Sequence, residues 1–288
     1  MKVKIGGVPE HFNYPWLNGI ENNIFEAEGI ELHWQDFHGG TGAMCKALKN
    51  NELDLALLLT EGAVKEICSG GDFKIVKTYV ESPLNWGIHS AKKNKKADLK
   101  NLAKMRYAIS RFGSGSHLMA YVHAQTHGFQ LTENQMVIVG DLQGARKSLA
   151  NIESDLFFWE KFMTKPLVDS EEFQLLDTFP TPWPCFVLVA KNDFFQSDSK
   201  TITTICKLIN KQTELLSQDS FTLIDSISVK YNLPKKDVET WLNGTKWNYN
   251  FEIKKESFTK VTNSLFSLGM IDFHPSNSDL IHQTVSLI

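Results

Sequence analysis

Four short turns carry polar side chains, three of them together with glycine, in a way that suits ligand binding. Each lies next to a stretch that the sequence predicts as a buried strand. Glycine lets the backbone approach a bound molecule, and a Ser or Thr hydroxyl both caps a helix and can donate to an anion. In an open α/β sheet, ligands bind beyond the carboxyl ends of the strands. The turns are Pro9-Glu10-His11, Gly39-Gly40-Thr41-Gly42, Thr60-Glu61-Gly62 and Gly113-Ser114-Gly115-Ser116-His117.

Three tryptophans lie where flat rings could stack on a heterocycle or an aliphatic stem. Trp86 and Trp183 fall at places where the chain is expected to cross between two sheets, and Trp159 ends a predicted strand. The alternative for each ring is packing in a core. With the turns, these rings give the candidate ligand-binding residues: Pro9, Glu10, His11, Gly40, Thr41, Gly42, Thr60, Glu61, Trp86, Ser114, Gly115, Ser116, His117, Trp159 and Trp183.

Common nucleotide and hydrolase motifs do not fit these turns. The segment "GGTGAMCK" lacks the glycine that a P-loop places before its lysine, and "GSGSH" lacks the third glycine of the dinucleotide fingerprint. No "GxSxG" elbow supports a Ser-His-Asp triad. We therefore assign no catalytic residue.

The spacing of the histidines and cysteines does not favour a metal site. His123 and His127 have the i, i+4 spacing of a metal pair, but they fall at a predicted helix end, where a protonated histidine interacts well with the helix dipole. His33 and His38 flank a strand end. The four cysteines are far apart, so neither a zinc cluster nor a disulfide framework is expected. We assign no metal site.

Composition bounds the class of protein. The chain has 288 residues and a net charge of -3, so we expect one large or two medium globular domains and no nucleic-acid partner. The basic run "AKKNKKADLKNLAK" favours a solvated connector, with a phosphate-binding patch as the alternative. No stretch reaches the ~18 apolar residues of a membrane span, so membrane insertion is not expected. Oligomeric state is not predicted.

The beginning of the chain predicts a cytoplasmic protein. "MKVKIGGV" enters a strand-like alternation at once and contains no apolar segment of the secretory kind. The alternative is a periplasmic or secreted protein whose leader was removed.

The order of elements predicts an α/β fold. "LDLALLL" is apolar at nearly every position, which is typical of a strand covered on both faces. Strands and helices alternate up to "FKIVKTYV", and a second alternation begins at "MRYAIS". Such alternation predicts parallel sheets with right-handed crossovers, and two sets of it predict two lobes. From about Phe194 onward the pattern is helical.

Two segments resemble a known family. "GGTGAMCKALKNNELDLALLLTEG" resembles the Gly-Ser/Thr-Gly and "aLxxgelDiA" segment of type II periplasmic binding proteins, in the group of sulfonate-binding proteins and fungal thiamine-pyrimidine synthases. "ADLKNLAKMRYAISRFGSGSH" is similar to the start of that group's second lobe. The agreement in element order extends along nearly all of the chain. Within this group, the chain most resembles fungal proteins of this fold, such as one from Candida, for which a role in thiamine biosynthesis has been suggested.

The resemblance implies a two-lobed α/β protein in which each lobe is a mostly parallel sheet flanked by helices, with extra helices at the C-terminus. It places lobe 1 at residues 1–84 and 190–288 and lobe 2 at residues 85–189. The crossovers are expected near 82–86 and 180–184. Such lobes close like a hinge over a small molecule.

For function, the resemblance implies a binder of a small polar or heterocyclic ligand in the cleft between the lobes. A compound related to the thiamine pyrimidine or a sulfonate-like compound would suit. The synthases use a cysteine-rich iron motif, a lysine for pyridoxal phosphate and a histidine. Since the cysteines here are isolated, we favour a binder without cofactor. The alternatives are an enzyme of thiamine-precursor biosynthesis that uses pyridoxal phosphate, and a secreted solute receptor of an ABC transporter.

Overall fold

The computed structural model describes residues 1–282 and the backbone of residues 286 and 287. It divides the chain into two compact units. Unit 1 comprises Met1–Pro83 and Pro182–Ile288, and unit 2 comprises Leu84–Thr181. The chain therefore passes from one unit to the other twice.

The strands are β1 (Lys2–Gly7), β2 (Glu31–Asp36), β3 (Leu55–Leu59), β4 (Phe73–Val80), β5 (Asn85–Ala91), β6 (Tyr107–Ile109), β7 (Met136–Ile138), β8 (Leu156–Glu160), β9 (Phe173–Pro180), β10 (Phe186–Lys191), β11 (Glu252–Ile253) and β12 (Ser286–Leu287). The α-helices are α1 (Tyr14–Glu21), α2 (Gly40–Lys49), α3 (Thr60–Cys68), α4 (Gly115–Thr126), α5 (Leu142–Ala150), α6 (Lys165–Asp169), α7 (Asn192–Gln218), α8 (Ser220–Tyr231), α9 (Lys235–Gly244), α10 (Lys255–Ser267) and α11 (Asn277–Leu280).

Unit 1 is built on a five-stranded sheet in the order β2-β1-β3-β10-β4. β10 runs antiparallel to both of its neighbours, and the other four strands share one direction. The central strand β3 has the sequence LALLL, and its first four side chains are fully buried. A strand apolar on both faces needs cover on both faces, as the sequence predicted.

Unit 2 repeats this plan in the order β7-β6-β8-β5-β9. Here β5 is the antiparallel strand, paired with β8 and β9. One core cluster of this unit joins its strands to helix α5 and consists of Ala91, Ala108, Ala145, Leu149, Phe157 and Phe173. The α/β class and the mostly parallel sheets flanked by helices are thus confirmed.

In each sheet the antiparallel strand is the first strand after the chain enters that unit. β5 begins directly after the passage at residues 83–84, and β10 begins shortly after the passage at 181–182. Residues 182–189 therefore lie in unit 1, because β10 pairs between β3 and β4. Their assignment to lobe 2 was wrong. The sequence reasoning also left β5 unassigned.

The C-terminal part of unit 1 is mostly helical. α7 packs against α1, and α10 packs against α3. The backbone of α7 is interrupted at Asp198, whose carboxylate accepts hydrogen bonds from the backbone N–H and the hydroxyl of Thr201. Asp198 thus caps the longer, second part of the helix. Within the described part of the chain, no helix is long and apolar enough to span a membrane.

A buried lysine fastens the segment after α9 to the sheet of unit 1. Lys77 on β4 is 1% exposed, and its Nζ donates to the carbonyl oxygens of Asn248 at 2.6 Å and Asn250 at 2.7 Å. Burial lowers the pKa of Lys77 to about 8. Between α9 and these residues lies Trp247, whose Nε1 donates to the carbonyl oxygen of Phe12 at 3.0 Å. The lysine thereby holds a segment that reaches the turn after β1.

Replacing this lysine should destabilise unit 1. Lys77→Met leaves two backbone carbonyl groups without a charged donor, so we expect the free energy of unfolding to fall by roughly 2–3 kcal/mol. Lys74→Met is the matched control, because Lys74 lies on the same strand but is only partly buried while donating to the carbonyl of Ser278. Urea unfolding of both variants checks this expectation. Equal losses would contradict the role given to Lys77.

Candidate ligand-binding site

Three chain segments meet at one edge of the unit 1 sheet. β1 and β3 are parallel, so the turns that follow them lie at the same edge. β10 is antiparallel to β3 and pairs Phe186 with Leu59, which brings the start of β10 to that edge as well. We call this the unit 1 edge: residues 8–11, 60–62 and 183–185. It gathers Pro9, Glu10, His11, Thr60, Glu61 and Trp183 of the predicted site.

The turn after β1 is held by its own hydrogen bonds and by the C-terminal part of unit 1. The N–H of Glu10 donates to the carbonyl of Val8, and the Asn13 side chain donates to the same oxygen, both at 2.8 Å. The carbonyl of Phe12 accepts from the hydroxyl of Tyr79 at 2.7 Å, in addition to its bond from Trp247. The position of this turn is therefore fixed from both sides.

His11 is enclosed by aromatic side chains and carries no positive charge. It is 0% exposed, and within the described residues neither ring nitrogen has a hydrogen-bond partner. Its ring lies edge-on to Trp241, with centroids 4.2 Å apart, and 6.1 Å from the ring of Tyr231. Burial lowers the pKa of His11 to about 3. A neutral imidazole can donate through one nitrogen and accept through the other.

Two further polar groups of this aromatic cluster are unpartnered in the described residues. They are Nε1 of Trp241 and the hydroxyl of Tyr231. Buried polar groups are normally hydrogen-bonded, so several such groups around one histidine need an explanation. A bound polar molecule would supply the missing partners.

Glu61 is the second unusual group at this edge. It is 2% exposed; Oε2 accepts from Nε1 of Trp183 at 2.8 Å, and Oε1 has no partner among the described residues. Desolvation raises its pKa to about 7. The neighbouring Thr60 hydroxyl donates to the carbonyl of Pro184 at 2.6 Å, which ties the end of β3 to the start of β10. Thr60 thus positions Glu61 and Trp183 together.

Glu10 is partly buried, and desolvation raises its pKa to about 7 as well. Burial raises the pKa of the nearby Tyr231 phenol, and the negative charges of Asp36 and Glu10 raise it further. Within the described residues, neither Glu10 nor Glu61 forms an ion pair with a basic side chain. None of the three segments of the unit 1 edge therefore supplies a cation for these two carboxyl groups.

The turn before α2 lies at the same edge, because β2 is parallel to β1. Gly40 opens α2 with φ +63°, a left-handed backbone conformation that favours glycine. The Thr41 hydroxyl, predicted to meet a ligand, accepts from the backbone N–H of Leu59 at 3.1 Å. Gly42 follows in the first turn of the helix. Thr41 thus joins α2 to the end of β3.

In unit 2, the turn between β6 and α4 is held mainly by its own serines. Gly115 is the first residue of α4, and Ser114 caps the helix by accepting from the N–H of His117 at 3.3 Å. The Ser116 hydroxyl accepts from the N–H of Ser110 at 3.0 Å and lies 3.1 Å from the Ser114 hydroxyl. These hydroxyls, predicted as donors to a ligand, have partners inside the turn.

The tryptophans of unit 2 take different places. Trp86 pairs across the sheet with Glu160, and its Nε1 has no hydrogen-bond partner among the described residues. Glu160 accepts from the N–H of Met163 at 2.7 Å. Trp159 points to the other face, where it stacks on Phe157 of the core cluster, with centroids 5.2 Å apart. Trp159 therefore contributes to packing.

No metal cluster accompanies these residues. Within the described ranges, no group of three or more His, Cys, Asp or Glu side chains could hold a metal ion. In the i, i+4 pair, Nδ1 of His127 lies 2.8 Å from the carbonyl oxygen of His123. His33 lies 2.8 Å from a carboxylate oxygen of Glu31.

Known proteins share this architecture. Residues 86–179 match the model of the Ca3427-like PBP family. The structure of the Candida albicans CA3427 gene product, which exhibits the generic periplasmic-binding-protein fold, superposes with a TM-score of 0.87 at 24% identity, covering 97% of this chain and 93% of that one. The chain has the periplasmic-binding-protein fold. This is the fold that the resemblance of the two sequence segments implied.

Two further structures with this fold bind sulfonates. The alkanesulfonate-binding protein SsuA from Xanthomonas axonopodis pv. citri, bound to MOPS, gives a TM-score of 0.79 at 14% identity and covers 98% of its own length and 100% of this chain. The periplasmic aliphatic sulphonate-binding protein SsuA from Escherichia coli gives a TM-score of 0.75 at 13% identity. The match covers 93% of that protein and 100% of this chain. No curated protein sequence matches significantly. At these identities the likeness shows the fold.

Two residues of the aromatic cluster around His11, Tyr231 and Trp241, were not predicted from the sequence. Both come from the C-terminal helices α8 and α9, far along the chain from His11. The signal for Trp241 is its helical spacing from Val238, which indicates a buried face but not what that face covers.

The raised pKa of Glu61 gives a pH-dependent stability. Between its ordinary value of 4.5 and about 7, the native protein holds a proton that the unfolded chain has lost, so stability falls as pH rises through this window. Glu61→Gln cannot ionise. We expect the difference in free energy of unfolding, Glu61→Gln minus wild type, to be about 3 kcal/mol larger at pH 8 than at pH 4.5, which means that the variant gains stability relative to the wild type as pH rises.

Urea unfolding at the two pH values measures this difference. Glu66→Gln, the same carboxyl-to-amide change at a partly exposed position on the same helix, serves as the matched control. If the Glu61→Gln difference were the same at both pH values, Glu61 would not be a desolvated carboxyl group in the folded protein.

Proposed function

We propose that this protein binds a small polar or heterocyclic molecule and that the unit 1 edge forms one part of the binding site. The observation that carries the proposal is Glu61, a buried carboxyl group with one oxygen bonded to Trp183 and the other without a partner in the described residues. An unsatisfied buried carboxyl group costs stability and is retained where a ligand completes it. The fold supports the proposal, since the SsuA proteins of this fold bind small sulfonates.

We further propose that unit 2 contributes a second part of the site and that the units close on the ligand like a hinge. The support is that unit 2 carries its own turn at the carboxyl end of β6, followed directly by α4. The N-terminus of a helix favours hydrogen-bond acceptors and negative charge. A ligand with hydrogen-bond donors at one end would suit the carboxyl groups of the unit 1 edge, and acceptors at its other end would suit the N-terminus of α4.

Pyridoxal phosphate does not fit the residues of the unit 1 edge. A Schiff base needs a lysine, and residues 8–11, 60–62 and 183–185 contain none. The buried lysine of this unit, Lys77, donates to two backbone carbonyl groups that hold the segment after α9. We therefore propose that the unit 1 edge binds its ligand without pyridoxal phosphate and without a chemical reaction.

The proposed binding site is tested by ligand-induced stabilisation. A panel of small metabolites that includes amines, aminopyrimidines and alkanesulfonates is screened by thermal shift, alongside native mass spectrometry for a co-purified molecule. For a compound that binds, we expect Trp183→Phe to weaken affinity by about tenfold, because it removes the donor that orients Glu61.

Phe266→Leu provides the control, because Phe266 is half-exposed on α10 and lies outside the proposed site. A bound compound whose affinity is the same in Trp183→Phe would place the site elsewhere. The absence of any binding compound and of any co-purified molecule would refute the proposed function.

Closure is tested separately by small-angle X-ray scattering. With a compound from the panel that binds tightly, we expect the radius of gyration to decrease, because the units approach each other around the ligand. An unchanged radius at saturation would refute the hinge while leaving ligand binding intact.

A further inference from the structure

The carboxyl groups of the unit 1 edge indicate the charge of the ligand. Glu10 and Glu61 follow β1 and β3 at the same edge of the sheet, and within the described residues neither has a basic partner. The nearby histidine does not compensate them, because His11 is buried and neutral. The segments that form this edge contain neither lysine nor arginine.

We propose that the unit 1 edge binds a cationic nitrogen group of the ligand, of the amine or amidinium class. This inference rests on the proposed function and deepens it. The nitrogen would donate to the unpartnered oxygen of Glu61 and supply the positive charge that this carboxylate lacks. Charge-assisted hydrogen bonds of this kind are roughly twice as strong as neutral ones.

The aromatic side chains around the carboxyl groups suit the same class of ligand. Trp183 lies against Glu61, while Trp241 and Tyr231 surround His11. A cation gains further stabilisation over the face of Trp or Tyr. His11 and Tyr231 can accept hydrogen bonds as well as donate them, so the ring system of a flat, nitrogen-bearing ligand can be satisfied from several sides.

An anionic group would meet the opposite situation. A sulfonate at this edge would add a negative charge beside two carboxyl groups and would find no basic side chain in the segments that form it. Like charges at short range disfavour each other strongly in a desolvated site. This edge therefore differs in electrostatic character from what a sulfonate requires, even though the fold is shared with sulfonate-binding proteins.

Three probes of equal ring size separate these possibilities: benzamidine, which is cationic, benzamide, which is neutral, and benzenesulfonate, which is anionic. Binding is measured by titration calorimetry at about pH 8, with the thermal shift as a second readout. We expect benzamidine to bind at millimolar concentration and at least about tenfold more tightly than benzamide. Benzenesulfonate should bind more weakly than either.

Two isosteric variants assign the effect to the carboxyl groups. We expect Glu61→Gln and Glu10→Gln each to weaken benzamidine binding by about tenfold and to change benzamide binding much less. Glu66→Gln, on the same helix as Glu61, should bind benzamidine as the wild type does. Two single variants keep the test decisive if one of them folds poorly.

Three outcomes overturn the inference: benzenesulfonate binding as tightly as benzamidine, benzamidine affinity unchanged in both site variants, or no benzamidine binding at all. None of these refutes the proposed function, which stands if an anionic or neutral compound of the metabolite panel binds and loses affinity in Trp183→Phe. Failure of the whole panel refutes the function itself.

Discussion

The placement of β10 between β3 and β4 is the constraint on which the unit 1 edge depends. An antiparallel strand inserted into an otherwise parallel sheet brings the beginning of one strand beside the end of another. Here it sets Trp183 and Pro184 against Thr60 and Glu61, which lie more than a hundred residues earlier in the chain. Because unit 2 repeats the arrangement with β5, each unit has an edge where strand ends and a strand start meet.

The C-terminal helices are part of the same construction. Trp247 reaches the carbonyl of Phe12, and Lys77 holds the segment that carries Trp247. The C-terminal part of the chain therefore helps to fix the position of the turn after β1. Through Tyr231 and Trp241, the same part of the chain also encloses His11. The stability of this region and the shape of the candidate site thus depend on common contacts.

The sequence predicted the elements that have strong local signals. The apolar run of β3, the alternation of strands and helices and the glycine turns at strand ends all depend on neighbouring residues, and all were found where expected. β5 was missed because it is buried on both faces, yet Gly87 and His89 interrupt the continuous apolar run that marks such a strand. Residues 182–189 were given to the wrong unit because strand pairing is a long-range property that no local pattern records.

The positions of the turns were predictable from the sequence, but the hydrogen-bond partners of their side chains were not. Thr41 and Ser116 were predicted as donors to a ligand because their type and place suit that role, and the structure shows that each also accepts from a backbone N–H of its own unit. Such a partner comes from another part of the unit and depends on tertiary packing. Tyr231 and Trp241 could not be assigned from the sequence, because a helical aromatic stripe looks the same whether it covers a core or a polar cluster.

Glu61 shows why such a cluster is informative. Most positions in a fold satisfy local propensity, packing and hydrogen bonding at once, and the exceptions concentrate at functional sites. Glu61 is an exception, since its ionisation inside the folded unit opposes stability by about 3 kcal/mol above pH 7 and an amide of the same shape would avoid that cost. The hydrogen bond from Trp183 offsets part of this cost and also fixes the direction of the carboxyl group. A carboxyl group that is oriented but left half-satisfied within the described residues supports the proposed role in ligand binding, and its charge favours a cationic partner.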